Sequence, residues 1–586
     1  MTTMTGGEAL ALQLVREGVT DVFGIPGVQL DWAVDGLVQQ TGRLRLITPR
    51  HEQATTYMAD GYARLSGRPG VAMVVPGPGV LNALAGLSTA WACSSPVLLI
   101  AGQIPSQSIG KGLGLLHEIP GQSQMLRSLT KWHALARTPQ EIPSLVSEAF
   151  AQLREGRPRP VALEIPPDVL QAKAEIALSD PVQRAPRPPD REAIAAAARL
   201  LAQARLPVIW AGGGAAAAGA GAELAALARR LRAPVLLNDH GAGELSADDP
   251  WALPALAGRA LLPHADVVLV LGSRFVDGRG APFPMNAASR RIGINADPAD
   301  LGEPRRYDIA LVADAREGAR ALLQALDAVG VPAAAAGPAD GPADGPSADP
   351  AADPAARPAA DPATRERLAQ VAALRGWCTT QFADVVPQVS WAQALRAAMP
   401  DDAVLVSELT QVGYYANVAF PVRRPRGLLT PGFQGTLGYG YPTALGAAFG
   451  APQRRVVSIT GDGGFGWSLQ ELATAARYQV PATVVVFADG RFGNVHRMQQ
   501  NQFGRGVGTE LHNPDFVALA RSFGVDAQQA DSPEALQAAL TRSLASAGPS
   551  LIAVPVGEMA SPWHLWHTYA APPRPAPPNP LGPPPG

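Results

Sequence analysis

Two cysteines in 586 residues, Cys93 and Cys378, cannot build a disulfide framework or a cysteine metal cluster, and so low a count fits a reducing compartment. Lysine and arginine are balanced by aspartate and glutamate, giving a net charge of -2. Binding to nucleic acid or to an anionic membrane needs clustered positive charge, so this balance argues against both. No uninterrupted apolar run reaches the roughly 20 residues of a membrane-spanning helix. The segment Met1 to Gly7 lacks a basic stretch, an apolar run and a small-residue cleavage site. These absences predict a cytoplasmic protein without a secretory signal, working on small molecules.

What is present is a large apolar fraction, 47%, against 17% charged residues, which suits folded domains with substantial cores. At roughly 100 to 200 residues per domain, the length predicts three. Short, continuously apolar runs ending in Gly or Pro alternate with helical stretches, the pattern of parallel sheets buried on both faces. Examples are Val71 to Val75 and Val97 to Ala101, then Val208 to Trp210 and Val267 to Leu271, then Val404 to Val406, Val456 to Ile459 and Val484 to Phe487. An opening helix is expected before Val22 to Gly24, because Leu10 with Leu14 and Ala11 with Val15 lie at i,i+4. The expected organisation is an α/β protein of three doubly wound parallel-sheet domains, 1–184, 190–330 and 377–571. A proline-rich join, Ala185 to Pro189, separates the first two. Residues 331–364, mostly Ala, Pro, Asp and Gly, have too few large apolar side chains to offset ordering entropy and read as a disordered linker. Residues 572–586 read as a loose proline-rich tail.

The strongest chemical signal is Gly461-Asp462-Gly463, directly after an apolar run and before a helix-like segment. In a doubly wound sheet the carboxyl ends of strands are where ligands bind, and glycine there permits close approach to a phosphate. Asp489, 27 positions later, follows the next apolar run, so two carboxylates can end parallel strands of one sheet. Together they could hold Mg²⁺, which takes hard oxygen ligands and shares them with diphosphate and water. Alone, Gly-Asp-Gly is more often a plain turn. The second signal is His51-Glu52-Gln53 followed by YMADGYAR at Tyr57 to Arg64; a solitary glutamate is usually a solvated surface residue.

Context changes both readings. The stretch Ile459 to Leu472, ITGDGGFGWSLQEL, resembles the diphosphate and metal motif of the thiamine diphosphate-dependent enzymes. The segment around Glu52 resembles that family's catalytic-glutamate motif, and Gly432 to Ala447 resembles its cofactor-bending segment. The likeness extends over nearly all of the chain outside linker and tail, and is greatest to the acetolactate synthase large subunit. It implies pyrimidine-binding, Rossmann-like middle and diphosphate-binding domains in that order. It assigns Mg²⁺ to Asp462, Asp489 and the main-chain carbonyl of Arg491, and the diphosphate to the turn of Gly461, Asp462 and Gly463. Glu52 becomes the partner of the aminopyrimidine ring, sharing a proton with its N1′ so that the cofactor itself can lose the thiazolium C2 proton, which is general base catalysis by relay. Leu437, otherwise an ordinary core leucine, becomes the wedge under the folded cofactor, and the carbonyl of Gly435 the acceptor for its amino group. Because Glu52 and the metal motif lie in different regions, the likeness implies a homodimer or homotetramer with sites between chains; contact within one chain remains open.

The chain also departs from the family. Ala488-Asp489 stands where a pair of asparagines is usual, adding a negative charge at the second metal ligand. Leu116-His117-Glu118 replaces Phe-Gln-Glu, and Met498 stands at the Trp that favours a larger second oxo acid. His117 could move a proton or bind substrate carboxylate, or could simply face water in a loop. Gly212-Gly213-Gly214 and Gly272 to Phe275 read as strand-end turns where the synthases bind FAD, with Arg274 and Arg279 at flavin-contact positions. FAD is therefore possible, although Leu253 to Leu262 lacks the family's Met-His-Gly element. The expected activity is decarboxylation of a 2-oxo acid with carboligation, two pyruvates giving acetolactate. The alternatives are a simple decarboxylase releasing an aldehyde, and a catalytically inactive nucleotide-binding regulatory protein. A nicotinamide dehydrogenase fits less well, since the middle glycines lack the dinucleotide spacing. A small regulatory subunit is neither indicated nor excluded.

Overall fold

The computed structural model describes residues 1–185, 187–276, 283, 285–303, 305–332, 361–566 and 576–585. It contains three six-stranded sheets, every strand pair in them parallel. The segments predicted as strands are strands: Gly70–Val74, Val97–Gly102, Pro207–Ala211, Val267–Leu271, Val404–Ser407, Val456–Gly461 and Ala482–Ala488. Their continuous burial follows from helices covering both faces of each sheet. The opening helix runs Gly6–Arg16, started by a capping box of Thr5 and Glu8, with Leu10, Ala11 and Leu14 on its buried face.

Numbering strands within each sheet in chain order, the first and third sheets share one spatial order, 2-1-3-4-6-5, whereas the middle sheet is 3-2-1-4-5-6. The latter is the Rossmann order. In any of these, strand order reverses beside strand 1, and the crevice outside the carboxyl ends at that reversal is the natural ligand position. In the third sheet it falls between Val404–Ser407 and Val456–Gly461, and in the first between Asp21–Gly24 and Gly70–Val74.

The chain divides into two compact units, Met1–Pro186 with Ala383–Pro572, and Arg187–Phe382 with Pro573–Gly586. Within the first unit, the helix Glu52–Ser66 lies directly on the helix Gly440–Gly450. A Cβ at Gly61 or at Gly446 would overlap the facing main chain at Thr443 or Met58, so only glycine permits this approach. Around the crossing, Tyr57, Met58, Tyr62, Tyr439, Tyr441, Leu445 and Phe465 share one core, which joins the first and third sheets.

Three boundaries differ from the sequence reading. The helix Pro362–Ala383 contains Trp377, the expected start of the third domain, yet it belongs to the second unit. The reason is visible in its contacts: Val371, Leu374, Trp377 and Cys378 are buried, and Arg375 donates to the carbonyls of Asp249 and Ala252. This helix also takes in residues 362–364 of the expected linker; 333–360 lie outside the described residues. The tail is not loose where it is described: Asn579 donates to the Ala260 carbonyl, and the Pro577 carbonyl accepts the Trp377 indole N–H. Proline lacks an N–H but keeps a carbonyl, so such a segment can still be anchored by donors from its neighbours.

Candidate active site

At the carboxyl edge of the third sheet, Val456–Gly461 delivers Asp462 and the adjacent Ala482–Ala488 delivers Asp489. Asp462 is buried; its Oδ1 accepts the Gly463 amide at 3.0 Å, and its Oδ2 accepts the Gly490 amide at 2.8 Å and Asn513 Nδ2 at 2.6 Å. The Arg491 amide donates to Asp489 Oδ1 at 3.2 Å. Burial and the neighbouring Asp462 carboxylate push the Asp489 carboxyl up to about 6. Two carboxylates held together against their mutual repulsion suit a cation. Among the described residues no group of three or more His, Cys, Asp and Glu side chains converges. A pair fits Mg²⁺, which completes its shell with main-chain, phosphate and water oxygens.

Beside Asp489 opens a cleft of about 190 Å³ lined also by Gln411, Arg491, His496, Arg497 and Glu558. Arg497 is held in place by Gln411 Oε1 at 3.0 Å, Asn494 Oδ1 at 3.0 Å and the Met559 carbonyl at 3.2 Å. A cation fixed this way next to a pair of carboxylates can face an anionic group.

The first sheet supplies a different edge. Glu52 is the first residue of the helix Glu52–Ser66, which follows the strand Arg45–Ile47, and its Oε2 accepts Asn82 Nδ2 at 3.0 Å. Asn82 stands in the opening turns of the helix Pro78–Cys93, whose N-cap is Gly77. The carbonyl of His117 packs on Gly77, where any Cβ would collide with it. His117 itself has a left-handed backbone, φ 67°, and Nδ1 lies 3.2 Å from Gln29 Oε1. Gln29 Nε2 donates to the Leu116 carbonyl, so its oxygen is the acceptor and His117 Nδ1 carries the proton. Nε2 is then left to accept or, when protonated, to donate. Glu52, Asn82 and His117 thus belong to one sheet edge. Glu118 does not offer its charge to a ligand in the same way: the amides of the glycine-rich loop 112–115 hold its carboxylate below the usual range.

The segment between the two edges carries Leu437. It is 38% exposed, so it is not the ordinary core leucine that its residue type suggests. Gly435, at φ 57°, closes the turn Gly432–Gln434 before it. Gln53, next to Glu52, donates to the Leu437 carbonyl at 3.3 Å. The buried Glu408 fixes the far side: its two oxygens accept the amides of Gly438 (2.8 Å) and Gly440 (3.0 Å), and Thr460 Oγ1 donates to it at 2.8 Å. Burial raises its pKa. Sequence reading passed over Glu408, Asn82 and Gln29. Glu408 had a signal, an acidic residue two positions past the apolar run Val404 to Val406; the other two had none.

In the second unit, Gly212 and Gly214 are consumed by packing. The Gly214 amide donates to the Gly272 carbonyl at 2.8 Å and the Gly212 amide to the Leu271 carbonyl at 3.1 Å, while a Cβ at either would press on Gly272 or Ser273. Their amides are therefore committed to the end of the neighbouring strand and its turn, and the described residues give no support for FAD; Arg279 lies outside them.

Comparison with known proteins agrees with this geometry. Residues 4–125, 194–326 and 409–554 match, respectively, the N-terminal TPP binding, central and C-terminal TPP binding domains of thiamine pyrophosphate enzymes. The chain belongs to the thiamine pyrophosphate enzyme family. Among its relatives, a protein named probable 2-ketoarginine decarboxylase in Pseudomonas aeruginosa is 37% identical over 94% of both chains. A probable acetolactate synthase large subunit of Methanocaldococcus jannaschii is 32% identical over 94% of this chain and 91% of its own. A sulfoacetaldehyde acetyltransferase of Castellaniella defragrans is 31% identical over 92% and 90%. Among the described residues no helix is long and apolar enough to cross a membrane.

Proposed function

We propose that this chain uses thiamine diphosphate and Mg²⁺ to decarboxylate a 2-oxo acid and release the corresponding aldehyde. The observation that carries the cofactor assignment is the pairing of Asp462 with Asp489 at adjoining strand ends, with a single carboxylate, Glu52, at the edge of the other sheet in the same unit. Bound there, the cofactor supplies an electron sink for the carbon that loses CO₂. Asp462, Asp489 and the Arg491 carbonyl would hold the metal, and Gly461 and Gly463 would leave room for the diphosphate. Leu437 and the Gly435 carbonyl would support and orient the cofactor's rings. Glu52 holds a proton at the pyrimidine N1′. His117 Nε2 gives a proton to the substrate carbon that the carboxylate has left, so that an oxo acid becomes an aldehyde and CO₂.

Release of aldehyde is favoured by the decarboxylase named among the relatives and by His117 and Met498 where acetolactate synthases differ. Ligation to a second 2-oxo acid, giving acetolactate from pyruvate, is the second reading, supported by synthases matched over the same span. In both, a homodimer or homotetramer is expected, a second copy covering the exposed Leu81, Phe433 and Trp467. The discriminating experiment supplies cofactor and Mg²⁺ with pyruvate, 2-oxobutanoate or the guanidino-bearing oxo acid of arginine and identifies the products. An aldehyde with stoichiometric CO₂ supports the first reading, and acetolactate the second. No turnover of any oxo acid would contradict both.

A further inference from the structure

One buried carboxylate has no part in the mechanism above. Glu471 lies nine positions after Asp462, at the end of the same motif segment, and is fully buried. Its two oxygens accept the Arg50 amide at 3.2 and 3.1 Å, and Thr474 Oγ1 donates to Oε2 at 2.6 Å. The His51 amide also favours its charged form. Arg50 and His51 are the two residues before Glu52, and His51 is the N-cap of the helix that Glu52 begins. A negative charge at this position meets the unsatisfied amides and the positive end of the helix dipole. The amides it binds belong to the first sheet's edge, while Glu471 itself belongs to the third domain. One side chain therefore ties the strand-end segment that carries Asp462 to the backbone that aims Glu52.

We propose that Glu471 is a positioning residue that sets the orientation of Glu52 by gripping the amides of Arg50 and His51. This rests on the reading of Glu52 as the proton partner of the cofactor. The grip calls for the carboxylate. A protonated acid would turn one acceptor oxygen into a donor facing amide donors, and a glutamine would do the same with its NH₂. The groups around Glu471 are few: Arg50 beside it lowers its pKa, as do the Thr474 hydroxyl and the two amides, whereas burial outweighs them and pushes it up to about 7. Tyr441, fully buried, has its own pKa raised by burial and by the Glu471 charge. The orientation of Glu52 should therefore loosen on the acid side of neutrality.

The first measurement needs no cofactor. In the apo protein, hydrogen exchange of the peptide spanning residues 48–55 is expected to speed up at least about 10-fold in Glu471→Gln, with little change elsewhere in the first domain. The second uses the loaded enzyme and follows exchange of the thiazolium C2 hydrogen with deuterated solvent. Glu471→Gln is expected to slow it about 10-fold in the wild-type background and to add nothing in a Glu52→Gln background, because it acts only through Glu52. Equal slowing in both backgrounds, or no change in peptide exchange, would overturn the proposal. Should Glu471→Gln not fold, Thr474→Val keeps shape and removes one stabilising donor, so the acid limb of C2 exchange should move to higher pH; an unmoved limb would overturn it too. If Glu52→Gln alone left C2 exchange unchanged, the reading of Glu52 would fail instead, a result distinct from either.

Discussion

The third sheet and the middle sheet each end an apolar strand in a glycine turn, and they use it in opposite ways. In the middle sheet the Gly212 amide bonds to the last residue of the neighbouring strand and the Gly214 amide to the turn after it, so the glycines bring two stretches of backbone together. In the third sheet the turn of Gly461 to Gly463 leads into a buried aspartate, and the next strand brings a second carboxylate against it. Glycine after a strand says only that backbone comes close to something. What separates a ligand site from a packing device is the charge left uncompensated beside it.

This contrast can be broken by mutation. The largest effect is expected from Asp462→Ala, which removes a proposed metal ligand and the acceptor of the Gly490 amide and of Asn513. Thiamine diphosphate binding should weaken by more than about 100-fold, since even partners one step removed from a metal are worth 10- to 100-fold. Equilibrium titration of the apo protein with cofactor and Mg²⁺ checks this. Gly214→Ala should destabilise the second unit by about 1–3 kcal/mol through overpacking on Gly272, read by denaturant unfolding, and leave cofactor affinity unchanged. A loss of cofactor affinity in that variant would mean that the middle turn is a ligand site after all.

The pH dependence sharpens the same point. The Glu471 carboxyl is raised from 4.5 to about 7, so between those values the native state binds more protons than the unfolded state. Stability from this group is present below pH 4.5 and lost as pH rises through 7, by roughly 1–3 kcal/mol. Thermal unfolding of the apo protein at pH 5.5 and 8 should show the decline, and Glu471→Gln should flatten it. The smallest effect is expected from Asp489→Asn. It keeps an oxygen for Mg²⁺ while removing the repulsion with Asp462, and should change cofactor affinity by less than about 10-fold. Complete loss of Mg²⁺ binding would tell against the assignment of Asp489.

Much of the fold was legible because parallel strands buried on both faces are continuous apolar runs, and Val267–Leu271 or Ala482–Ala488 can be read directly from residue type. Boundaries were less so. The helix around Trp377 gives no strong one-sided stripe, and its unit is decided by long-range partners such as Asp249 and Ala252. Of the proposed site, Glu52, Asp462 and Asp489 are marked in the sequence by motif and by strand-end position. Glu408 and Glu471 were not recognised, because their importance lies in which distant amides they accept, those of Gly438, Gly440 and Arg50.

The central claim divides the work between two sheet edges, with Asp462 and Asp489 anchoring the cofactor and Glu52 promoting loss of its C2 proton. Glu52→Gln separates the two, since it keeps shape and a hydrogen-bonding oxygen for Asn82 but has no proton to share as an acid does. Cofactor and Mg²⁺ affinity should stay within about 3-fold of wild type, because the charge-assisted contacts are those of the third sheet. Exchange of the C2 hydrogen at saturating cofactor should slow by about 10²–10⁴-fold. Unchanged exchange with turnover lost would place Glu52 later in the reaction and contradict the account.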